Sequence, residues 1–76
     1  MYPVSAVPPD REEQRQRLLF QLETAIAQAE RAHTHELTAI EHLRSRGEDT
    51  SEAQAFLARV EEHLAKLDRE RQRLLG

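Results

Sequence analysis

Gly47 and Asp49 stand two residues apart between two long stretches of helix-forming sequence, and that spacing constrains the chain more than any other feature. From Arg11 to Arg46 there is neither proline nor glycine. Arg44 and Arg46 lie where cations suit the carbonyl end of a helix, and Gly47 follows as the residue type that closes one in the left-handed conformation. Asp49 then opens a second helix, with Glu52 completing the D-x-x-E form of a capping box. A stop and a start this close leave room only for a tight connection, so the helices are expected to turn back on each other antiparallel.

The expected organisation is a helix over 11–46, a turn at 47–49 and a helix over 50–75. Asp10 caps the first helix, with Glu13 reaching back, and Glu12 and Glu13 lie where the helix dipole favours negative charge. All three prolines, Pro3, Pro8 and Pro9, fall in residues 1–9, which read as an extended arm. On the first helix the apolar stripe runs Leu19, Leu22, Ile26, Ala29, His33, Leu37, Ile40 and Leu43, interrupted only by His33. On the second it runs Ala53, Leu57, Val60, Leu64, Leu67, Arg71 and Leu74 in alternating steps of four and three, a heptad seam flanked by Phe56 and Ala55. Outside the stripes, Glu13–Arg17 and Glu62–Lys66 have the spacing and order of supporting i,i+4 pairs.

Composition narrows the function classes. The chain has 76 residues and no cysteine, so it holds at most one domain, with neither a disulfide framework nor a cysteine zinc site. Its two glycines, Gly47 and Gly76, are too few for a phosphate-cradling loop. No apolar run approaches the ~18 residues of a membrane span. Met1 to Asp10 has no basic start and no apolar stretch of a secretory signal, so a cytoplasmic location is expected. The 11 basic and 14 acidic residues give a net charge of −3 and alternate in sign along the chain. Such alternation reads as solvated helix faces laced with ion pairs rather than a one-sign stripe for nucleic acid. Arginine outnumbers lysine ten to one, a bias that fits a GC-rich bacterial genome.

A chain this short rarely gains more than about 3–5 kcal/mol from a single core. The two helices differ in length, ~54 Å against ~39 Å at 1.5 Å per residue. With a turn centred near Glu48, Arg11–Phe20 project past the end of the second helix and carry Leu18, Leu19 and Phe20 uncovered. Exposed apolar patches of this kind mark binding surfaces, and a second copy is the commonest occupant. The fold expected is therefore all-α: an antiparallel two-helix hairpin that dimerises into a four-helix bundle. Its interface is expected at Leu18, Leu19, Phe20, Leu22, Ile26, Leu67, Leu74 and Leu75. The function expected is that of a non-catalytic protein–protein interaction or scaffold module, without cofactor, with an unidentified protein as a further partner.

Other chemistries have weaker footing. Glu30 and His33 have the Glu-x-x-His spacing of carboxylate-bridged di-metal bundles, and His63 falls near the level of His33 across the hairpin. That gives a metal-binding bundle using Glu30, His33 and His63 as an alternative. Against it, no acidic residue occupies a seam position of the second helix, and a single polar seam residue often serves to fix register. His35 and His42 share an outer face and read as surface. Arg71 in the second seam has two readings: a buried pair with Glu23, or a stem packed on the seam with its guanidinium reaching solvent. A small regulator touching nucleic acid through Arg69, Arg71 and Arg73 is a further alternative, opposed by the interleaved Asp68 and Glu70. Ser5, Ser45 and Ser51 have no base placed to activate them, so an enzyme is not expected.

The run Gly47-Glu48-Asp49-Thr50-Ser51-Glu52-Ala53, then Phe56-Leu57, Glu61-Glu62-His63-Leu64 and Arg71-Gln72-Arg73-Leu74, resembles small uncharacterised proteobacterial helical-hairpin proteins. These carry a G-x-D-T-x-x-A turn before a leucine-rich second helix ending in R-x-R-L. The likeness covers about residues 26–75 and implies a bacterial origin and a hairpin. That group has no assigned activity, so the resemblance carries over no site.

Overall fold

The protein is described from a computed structural model over residues 10–76. These residues form two helices, α1 (Arg11–Ser45) and α2 (Ser51–Leu75), packed against each other as an antiparallel hairpin. The expected proline arm, residues 1–9, lies outside the described residues. The helix ends fall one residue inside the sequence-based limits at the turn, because the last and first turns are tied up by capping.

At the start of α1, Asp10 holds extended backbone and its carboxylate accepts from the Glu13 amide at 2.8 Å. At the other end Gly47 takes φ +71°. That conformation lets the Glu48 amide reach back to the Leu43 carbonyl (2.9 Å) and the Gly47 amide to the Arg44 carbonyl (3.0 Å). This pair of bonds is a Schellman closure, and it satisfies carbonyls that the helix itself leaves free. The second start differs from the expected capping box. Thr50 is the capping residue and makes no side-chain bond to the backbone. Asp49 instead folds over Ser51, its Oδ1 accepting from the Ser51 amide at 3.0 Å and the Ser51 hydroxyl at 2.7 Å. Glu52 takes no part, because the hydroxyl two residues on is closer to the carboxylate than any group a full turn away.

The seam of α2 is the one read from its periodicity: Ala53, Leu57, Val60, Leu64, Leu67, Arg71 and Leu74 are all partly covered. The seam of α1 corrects one position. Leu37 is 45% exposed, and Glu36 takes the inward place instead. The inward residues are thus Leu19, Leu22, Ile26, Ala29, His33, Glu36, Ile40 and Leu43, in steps that alternate three and four throughout. Two helices must keep the same seam period to stay in contact, so the heptad of α2 imposes itself on α1 at the expense of a carboxylate. Beside this seam Ala25, Ala32 and Ala39, seven residues apart, are half-buried.

The core is thin. Ala29 and Ile40 are the buried residues, and among the described residues no side chain is completely enclosed. Two polar ties cross the hairpin. Midway, His33 Nε2 meets Oε2 of Glu61 at 3.2 Å, and since a carboxylate can only accept, the proton lies on Nε2. At the open end the Arg15 guanidinium donates to the Leu74 carbonyl at 3.3 Å, a cation on the negative end of α2. The same guanidinium pairs with Glu12 at 3.1 Å. Gln16 also donates to Glu12, and these bonds, Gln16 first and Arg15 second, hold its carboxyl below the usual glutamate range.

Candidate interaction surface

The residues expected at an interface divide into two sets. Leu19, Leu22, Ile26, Leu67 and Leu74 lie on the seam between α1 and α2 and are partly covered by the hairpin itself. Leu18, Phe20 and Leu75 are exposed, Phe20 at 72%. The projecting stretch is Arg11 to Leu18, all of it exposed. Its inward positions by the heptad are Glu12 and Arg15, which pair with each other, so the overhang is not an apolar seam awaiting a partner. Leu18, Leu19 and Phe20 also point in three directions, since neighbours on a helix are about 100° apart and share no face.

Continuing the heptad round each helix separates two flanks of the hairpin, and each flank bears a shallow groove. One groove is lined by Leu37, Ile40, Glu41, Arg44, Gln54 and Leu57. Along this flank stand Glu23, Glu30, Glu41, Glu61 and Asp68, with Arg44 as its basic member. The other groove is lined by Glu36, Leu43, Asp49, Ala53, Phe56 and Arg59. This second flank carries the alanine row and Leu18 on α1, and Phe56, His63 and Glu70 on α2. Arg59 lies over the Phe56 ring at 5.8 Å, covering one face of it.

The candidate metal residues do not come together. His33 is held by Glu61, whereas Glu30 and His63 are exposed. Among the described residues, no three histidine, aspartate or glutamate side chains converge on one point. Arg71 resolves in favour of the packed stem: its Nη2 donates to Asp68 on its own helix at 2.7 Å, not to Glu23, and the side chain is 34% exposed. The cost shows at Nε, which is buried without a partner. Arg73 likewise pairs with Glu70 at 3.3 Å, so two of the three arginines considered for nucleic acid face a carboxylate one turn away. The expected Glu13–Arg17 and Glu62–Lys66 pairs give way to these three-residue spacings, Glu12–Arg15, Asp68–Arg71 and Glu70–Arg73.

Periodicity alone missed Glu36 and the row Ala25, Ala32, Ala39. The signal was available in the strict four-three alternation of α2, which fixes what the facing helix must present. Among the described residues no helix is long and apolar enough to cross a membrane. Compared with protein-family models, curated proteins and solved structures, the chain matches none.

Proposed function

We propose that the hairpin is a non-catalytic interaction module that works as a homo-oligomeric helical bundle, in the simplest case a homodimer. The observation that carries this reading is the thin core: Ala29 and Ile40 are its buried residues. Hydrophobic burial is the main term that offsets chain entropy, and a hairpin without disulfides has little else to set against it. Leu18, Phe20, Leu37, Phe56 and Leu75 meanwhile remain exposed. A second hairpin supplies the missing cover, because two antiparallel pairs make a four-helix bundle whose seams close on a common centre. The overhang of α1 is solvated in this reading, consistent with its Glu12–Arg15 pair.

Thermal melts followed by circular dichroism at several chain concentrations test it. Folding coupled to association makes the midpoint rise with concentration. A midpoint that stays fixed over a hundredfold dilution, with full helicity retained, would show that the hairpin stands alone.

A further inference from the structure

Resting on that reading, we propose that the second copy docks on the flank bearing Phe56 and the alanine row, related by a two-fold axis parallel to the helices. The opposite flank is unsuited to meeting itself. Glu23, Glu30, Glu41, Glu61 and Asp68 stand along it with Arg44 as the basic residue, and two such faces brought together would oppose like charges. The Phe56 flank has no such concentration; exposed apolar side chains occur on both, Phe56 on this one and Phe20, Leu37 and Leu75 on the other, so charge rather than apolar area separates them.

The register of the hairpin supplies the fit. His33 faces Glu61, and the connection is centred on Glu48. To within a residue this sets Phe56 level with Ala39, His63 with Ala32, and Glu70 with Ala25. A two-fold axis along the bundle leaves these levels unchanged and lays α2 of one copy over α1 of the other, antiparallel. Each large side chain on α2 then meets an alanine on the second copy: Phe56 over Ala39, His63 over Ala32, Glu70 over Ala25. Small residues let the helices approach closely enough for the large ones to fill the space between them. On the outer rows Arg59, Lys66 and Arg73 come level with His35, Gln28 and Gln21, so no carboxylate or lysine meets its like, and Glu52 comes level with His42.

The size is also adequate. A face about 37 Å long and two helices, about 20 Å, wide covers about 740 Å² per copy, close to the half-share of a standard stable interface.

The chain has no cysteine, so single cysteines report contacts cleanly. Ala39→Cys and Phe56→Cys proteins are prepared separately, mixed, and treated with a short bismaleimide. The proposal expects covalent dimer from the mixture and little from either variant alone, because identical positions lie diagonally across the bundle. Abundant cross-linking of either variant by itself, or none in a mixture that sediments as a dimer, would overturn this geometry while leaving the dimer standing. Ala32→Arg and Leu37→Arg give an independent reading by gel filtration with helicity checked by circular dichroism. Ala32→Arg should weaken self-association about 100-fold or more, and Leu37→Arg should change it little. The reverse order would move the interface to the carboxylate flank. Wild-type chain that is monomeric throughout would overturn the functional reading itself.

Discussion

Gly47 is the residue on which the hairpin turns. Its φ of +71° is a region that side-chain-bearing residues enter at a cost, and beyond its chain neighbours the space where a methyl group would stand is open. Strain in Gly47→Ala therefore comes from the backbone alone and should be about 1 kcal/mol, with Gly47→Asn milder because asparagine tolerates this conformation. Urea denaturation of the three proteins checks the order. Asp49 offers a second test with a pH signature. The Ser51 hydroxyl, and then the Ser51 amide, hold the Asp49 carboxyl below its ordinary value of 3.8. A folded-state value below the unfolded one stabilises the fold above the unfolded value and ceases to do so as pH falls through the folded one. Asp49→Ala should thus melt below the wild type at neutral pH, and the gap should narrow as the pH drops below 3.8. A gap independent of pH would assign the effect to the turn's shape rather than to the carboxylate.

At the scale of the helices, the heptad shared by α1 and α2 decides which side chains are covered. Glu36 is the clearest sufferer: it occupies an inward position in line with His33 and Ile40, half-buried, while Leu37 beside it is 45% exposed. Glu36→Leu should stabilise the hairpin by about 1 kcal/mol, from apolar area added to the seam and a carboxylate removed from it. The urea midpoint measures it, and a lower midpoint would mean that Glu36 has a partner the fold depends on. The same position shows how much of the structure was legible. Gly47, Asp10 and the stripe of α2 can be read directly, since each rests on local chemistry or on one helix's own period. Leu37 misleads because hydrophobicity favours it, whereas the choice between Leu37 and Glu36 depends on the period of the facing helix. The D-x-x-E motif pairs Asp49 with Glu52, but the bonds of Asp49 go to Ser51, a competition between neighbouring hydroxyl and amide groups that a motif does not resolve. The two flanks, one of carboxylates and one of alanines with Phe56, appear only when His33 is seen opposite Glu61, because a flank is defined by both helices at once.

For the whole molecule, the proposed self-association is placed along the hairpin rather than on the overhang left by the length mismatch between α1 (35 residues) and α2 (25 residues). The overhang presents Glu12 and Arg15 inward and is closed by Arg15 on the Leu74 carbonyl. What lacks cover is the length of the hairpin itself, where every seam residue except Ala29 and Ile40 remains only partly buried. The most direct test of that claim is the mass in solution of the untagged full chain, by sedimentation equilibrium at micromolar concentration. The account predicts the mass of two chains, falling toward one on dilution together with loss of helicity. A fully helical species with the mass of one chain across that range would contradict it.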